Sequence, residues 1–134
     1  AVGTAHGEYP DGLIPHINFE RIKEIKKATG NMPLALHGGS GSGDENILKA
    51  VEAGMNKINV VTDVLNAARN YCREELQKNP KKNYIELMSG MEEAVRQYVH
   101  HWIDLTGSAG KADNFRMLDK MDTLSKKRTI GVSE

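Results

Sequence analysis

The stretch Leu34-Ala-Leu-His-Gly-Gly-Ser-Gly-Ser42 constrains this chain more than any other. Three apolar residues run into His37, glycines and serines follow, and a helix is expected from about Asp44. That pattern is a strand ending at a metal-ligand type of side chain, then a loop of bare backbone, then a helix N-terminus. Backbone N–H groups in such a loop wrap an anion, and the helix end adds partial positive charge. Glycine lets a phosphate oxygen approach without meeting a Cβ. One short segment therefore offers a cation ligand beside an anion cradle.

Around it the chain alternates short strands with amphipathic helices. Ala1 to Ala5 are small and apolar with Val and Thr, which suits a strand buried on both faces and ending at His6-Gly7. An abrupt start on Ala1-Val-Gly-Thr reads as the end of a buried strand, so residues are expected to precede it. Glu8 to Pro15, with prolines and glycine, is a loop. Asn18 caps a helix from Phe19 to Ala28 with Phe19, Ile22 and Ile25 on one face, closed by Thr29-Gly-Asn31. A strand from Leu34 to Leu36 follows. Ser42 or Asp44 caps a helix carrying Ile47, Leu48 and Val51 inward. Lys57 to Val61 is a third strand, and Thr62 or Asp63 opens another helix. A long helix from Tyr84 to Leu105 carries an apolar stripe from Ile85 through Met88, Val95 and Val99 to Trp102.

Strands alternating with helices in this way predict an α/β fold with parallel strands. Three strands with open edges do not complete such a sheet, so the pattern predicts part of a larger barrel. At 134 residues the chain is long enough for one domain with its own core. Eighteen basic and eighteen acidic residues give zero net charge, which argues against a nucleic-acid partner or an anionic membrane surface. No apolar run approaches a membrane span. Cys72 is the single cysteine, which excludes an internal disulfide and fits a reducing cytoplasm. Its ordinary role is a small apolar residue on a helix face.

Three strand ends carry the polar residues: His6-Gly7, His37-Gly-Gly-Ser40 and Asn59-Val-Val-Thr62-Asp63. In a (β/α)₈ barrel the C-terminal strand ends converge on the active site. Two histidines from adjacent strand ends suit a shared zinc ion, but a catalytic zinc takes three protein ligands. No third ligand stands out, because His16, His100 and His101 are not at strand ends. A lone histidine is more often structural than metal-binding, and a glycine-rich loop alone is a weak signal. Two histidines at strand ends, each followed by glycine, form a more specific pattern. Asn59 has the plain alternative of ending its strand, and the methionines of the long helix that of filling a core.

The motifs Ala1-Val-Gly-Thr-Ala-His-Gly-Glu-Tyr9, Leu36-His-Gly-Gly-Ser-Gly-Ser42 and Lys57-Ile-Asn-Val-Val-Thr-Asp63 resemble three consecutive motifs of the class II, zinc-dependent ketose-bisphosphate aldolases. Ser89-Gly-Met-Glu92 and Leu105-Thr-Gly-Ser-Ala-Gly110 are similar to that family's C-terminal helices. The resemblance implies that residues 1–112 are the C-terminal part of a (β/α)₈ TIM barrel with additional C-terminal helices, and leaves 113–134 as a polar tail free to move. It implies His6 and His37 as zinc ligands. It implies Gly7, Gly38, Gly39 and Ser40, with Asn59, Val60, Val61 and Thr62, as the site for the phosphate of a dihydroxyacetone phosphate moiety, Asn59 also contacting the enediolate. A monovalent cation, Na+ or K+, is implied beside that phosphate on backbone carbonyls.

The implied reaction is reversible cleavage of a ketose 1,6-bisphosphate, fructose or tagatose, to dihydroxyacetone phosphate and glyceraldehyde 3-phosphate. The Asn-Val-Val-Thr form resembles the tagatose-type branch more than the fructose-type Asn-Ile-Asp-Thr form. The chain departs from the family in one large respect. The aspartate that serves as acid and base, and its neighbouring zinc-binding histidine, belong to the first half of the barrel, and no segment here matches them. The expected partners are therefore the N-terminal half of the same barrel and further copies, as dimer or tetramer. The competing reading is a non-catalytic phosphate-binding fragment or assembly module.

Overall fold

The computed structural model describes residues 1–10 and 12–112. The expected polar tail, 113–134, lies outside the described residues. Helix α1, Phe19–Ala28, begins where Asn18 Oδ1 accepts the Arg21 N–H at 2.9 Å, and it buries Ile22. Strand β1, Leu34–Leu36, leads through the glycine loop to α2, Asp44–Glu52, and then to β2, Met55–Ile58. β1 and β2 pair in parallel, so β1-α2-β2 is one crossover unit. Helices α3, Thr62–Lys78, and α4, Tyr84–Leu105, follow as a hairpin. Asn83 and Glu86 form a reciprocal capping box at the start of α4.

Four expectations change. Ala1 to Ala5 is not a strand: Val2 O accepts from Asn18 N–H at 2.8 Å, and Thr4 Oγ1 donates to the His37 carbonyl at 2.7 Å. The segment is tied to the end of β1 through Thr4 but makes no ladder with it. The third strand begins at Met55, not Lys57, because the pairing slips between Leu34 and Ala35 and leaves Asn56 as the extra residue. Asn56 Oδ1 fills the gap, accepting from Leu34 N–H at 3.1 Å and Lys26 Nζ at 2.8 Å. The N-cap of α2 is Gly43, with no side-chain cap, rather than Ser42 or Asp44. Finally, Leu48 is exposed while Ile47 is buried, and the α4 stripe is not enclosed.

The core lies between α1, α2 and the two strands. Ile17, Ile22, Leu36, Ile47, Ala50, Ala53 and Met55 are buried there, with Val2, Phe19, Leu34, Ile58, Trp102 and Leu105 packed against them. Each fully buried Ile or Leu contributes about 1.5–3 kcal/mol relative to exposure. Neither α3 nor α4 buries a residue completely: Leu65 is 64% exposed and Ile85 79%. His101 ties α4 to the start of α2 through Asp44, 3.1 Å away. Cys72 is free and half-buried on α3. Among the described residues no helix is long and apolar enough to cross a membrane.

Candidate active site

The site is built where three loops meet, after residues 1–5, after β1 and after β2. Their approach is closer than side chains allow. Gly38 has φ +68°, and a Cβ there would strike the Ala5 carbonyl. A Cβ on Gly39 would lie 2.7 Å from Ile58 Cγ2 and 3.0 Å from Asn59 O. The glycines therefore serve first to bring backbone against backbone. Tyr9 locks the first loop, accepting the Ala5 N–H at 2.8 Å and donating to the Ala5 carbonyl at 3.1 Å.

This convergence puts His6 and His37 together, with ring centres 5.5 Å apart and planes at 89°. Two imidazoles on one tetrahedral ion, each nitrogen about 2.0–2.1 Å from it, place their ring centres about 5 Å apart. The observed 5.5 Å is close to that spacing, and it is also that of an ordinary edge-to-face contact between two rings. Among the described residues no third His, Cys, Asp or Glu completes a group that could hold it. His16, His100 and His101 do not join the pair. Asn59 does meet it: its Nδ2 lies 3.0 Å from His37 Nδ1. With the amide turned, Oδ1 accepts from Nδ1–H and leaves the Nε2 lone pair for a metal. A cavity of about 330 Å³ lies beside both histidines, walled by Val2, Ile25 and Leu36.

A second, polar cavity of about 310 Å³ is lined by Gly7, Ser40, Gly41 and Thr62. Of the residues expected to bind phosphate, Gly7, Ser40 and Thr62 line it together. Ser40 is buried, and its Oγ accepts the N–H groups of Val61 at 3.3 Å and Asp63 at 3.2 Å. It thus caps α3 from another loop, in place of the absent side-chain cap at Val61. The Gly39 N–H is donated to Asn59 O at 3.0 Å. Gly41 N–H likewise goes to Asp63 Oδ2 at 2.9 Å.

The sequence reading missed Glu8, Tyr9, Asn66 and Arg69, which line the same cavity. A signal was present: Asn66 and Arg69 stand four and seven residues after Thr62, on the same face of α3.

Comparison with known proteins shows the family. Residues 1–111 match the family profile described as Fructose-bisphosphate aldolase class-II. The chain is 37% identical over 116 residues to the sulfofructosephosphate aldolase of Alkalicoccus urumqiensis, covering 86% of this chain and 39% of that protein. The crystal structure of the YdjI aldolase from Escherichia coli K12 superposes with a TM-score of 0.65 at 35% identity, over 73% of this chain and 36% of that one. A protein from Coccidioides immitis, provisionally assigned as a fructose-1,6-biphosphate aldolase, gives a TM-score of 0.72 at 31% identity, over 86% of this chain and 39% of that one. The chain thus spans 38–39% of the length of the curated relatives it matches. With the match running through all three loops and both hairpin helices, this chain belongs to the class II fructose-bisphosphate aldolase family as a C-terminal portion.

Proposed function

We propose that this chain supplies the metal-and-phosphate side of a zinc-dependent aldolase whose (β/α)₈ barrel is completed by an N-terminal half. The reaction is reversible cleavage of a ketose 1,6-bisphosphate, fructose or tagatose, to dihydroxyacetone phosphate and glyceraldehyde 3-phosphate. The observation that carries the reading is the His6–His37 pair, 5.5 Å between ring centres, beside Asn59 and next to the polar cavity of Ser40 and Thr62. The names of the relatives point the same way: a sulfofructosephosphate and a fructose bisphosphate differ at one end and share a phosphorylated ketose.

In cleavage the C4 hydroxyl loses its proton to a base, the C3–C4 bond breaks, and its electron pair moves toward the C2 carbonyl. C3 then takes a proton to give dihydroxyacetone phosphate. A divalent cation, when bound, supplies positive charge against that electron pair. The chain's own residues hold and orient. His6 and His37 are two of the metal donors, and Asn59 fixes the His37 ring and faces the reacting carbons. Gly7, Gly38, Ser40, Val60, Val61 and Thr62 form the phosphate end, remote from the bond being broken, where binding energy positions the reaction. Gly39 contributes to that end by letting the loops close. A monovalent cation, Na+ or K+, fits beside the phosphate on loop carbonyls. The acid/base group belongs to the other half.

Open surfaces support that division. A groove of about 560 Å³ runs between β2 and α4, lined in part by Val60, Val99, Trp102 and Ile103. Exposed apolar residues on α3 and α4 suit packing against the rest of a barrel or a second copy.

Native mass spectrometry followed by denaturing conditions tests the proposal. The expected complex holds about 150 more residues, from typical barrel size, together with zinc. His37→Ala in that complex should abolish turnover and weaken zinc retention. Full activity with ordinary zinc in this variant would refute the catalytic reading. Phosphate-dependent stabilisation without turnover at saturating zinc would leave a phosphate-binding module instead.

A further inference from the structure

We propose that Arg69 is the cationic anchor for the substrate's phosphate, and that Glu8 is an internal competitor which the phosphate displaces. The inference rests on the reading of the polar cavity as the phosphate end. Among the described residues lining that cavity Arg69 carries the only positive charge, against the carboxylates of Glu8 and Asp63. Asp63 is committed: it accepts the Gly41 N–H at 2.9 Å and stands in the first turn of α3, where negative charge is favourable. A phosphate dianion entering this space meets that fixed negative charge. The neighbouring amides are partly used, since Val61 and Asp63 N–H already go to Ser40 Oγ. Beside any cation on the loop carbonyls, the positive charge that a side chain supplies here is that of Arg69.

Arg69 has the position and the chemistry. It lies on the helix face that begins with Thr62 and continues through Asn66, both of which line the cavity. A guanidinium presents a planar fork matched to two phosphate oxygens. Its present partner is weak: Arg69 to Glu8 is 3.6 Å, with side chains 63% and 59% exposed. That separation exceeds a good hydrogen bond, and exposed pairs of this kind contribute little. A phosphate dianion carries more charge than the Glu8 carboxylate, so it wins Arg69. Glu8 follows Gly7, a residue expected at the same phosphate, so its carboxylate stands at the opening that the phosphate would enter.

The test is titration of the native protein with inorganic phosphate and with dihydroxyacetone phosphate, by calorimetry at low and high salt. Arg69→Met is expected to raise Kd about tenfold or more, and Arg69→Lys to restore part of the loss. Glu8→Gln should lower Kd about two- to fivefold, and should have no effect in the Arg69→Met background. Saturable binding that Arg69→Met leaves unchanged, or weaker binding in Glu8→Gln, overturns the assignment while the phosphate site stands. No saturable phosphate binding by the unmodified protein overturns the phosphate site and this inference together.

Discussion

Removing the Ser40 hydroxyl should loosen α3 from the loop after β1. In the structure Ser40 Oγ accepts two N–H groups, from Val61 at 3.3 Å and Asp63 at 3.2 Å, and only 6% of the residue is exposed. Both bonds are at the long end of the usual N–H···O range, so each belongs low in the net range of about 0.5–1.5 kcal/mol. Their sum is about 1–2 kcal/mol, in line with the roughly 1 kcal/mol typical for losing a serine N-cap. Ser40→Ala should therefore lower the free energy of unfolding by that amount, with the urea slope unchanged, as read by circular dichroism. Ser42 provides the internal contrast. It is 0% exposed, and its hydroxyl has no hydrogen-bond partner among the described residues. Ser42→Ala removes an unsatisfied polar group and should be neutral or mildly stabilising. If Ser40→Ala unfolds within about 0.5 kcal/mol of the unmodified protein, or Ser42→Ala costs as much as Ser40→Ala, the capping assignment is wrong.

Two further perturbations probe the α3–α4 hairpin. A Cβ on Gly90 would fall on the Tyr71 hydroxyl and ring, so Gly90→Ala should cost about 1–3 kcal/mol in urea denaturation, and adding Tyr71→Ala should recover part of it. Equal stability of Gly90→Ala and the unmodified protein would contradict this packing. Glu75 is held at about 2, below its ordinary 4.5, first by the hydrogen bond from Lys82 and then by that from Lys78. Because the folded value is the lower one, its stabilising contribution is present above about 4.5 and is lost as pH falls toward about 2. Glu75→Gln should flatten the acid limb of the stability curve in that window, and an unchanged limb would remove Glu75 from the account.

The helices were legible because their signals are local. The spacing of Phe19, Ile22 and Ile25 after a capping Asn18 gave α1 its bounds, and the long apolar period gave those of α4. Strand ends were less so. Ala1 to Ala5 has strand composition, yet a strand needs a ladder partner, and that partner is decided elsewhere in the chain or beyond it. The start of β2 depended on Asn56, whose side chain replaces a ladder bond that no local pattern announces. The α3 cap is likewise non-local, since Ser40 stands over twenty residues before the amides it serves.

For the site, the sequence by itself determined the inventory: two histidines each followed by glycine, a glycine-serine loop, and an Asn-Val-Val-Thr strand end. Residue type and order are enough for that, because imidazole, bare backbone and amide each carry their chemistry wherever they stand. Only the tertiary structure decided which of these groups meet. It set His6 beside His37, turned Asn59 onto the His37 ring, and assigned the Gly39 amide to Asn59. It also brought Arg69, two turns along α3 from Thr62, to the same cavity as Ser40 and Gly7. Distances between loops follow from how β1, α2 and β2 pack, and packing is a property of the whole chain, which no window of residues contains.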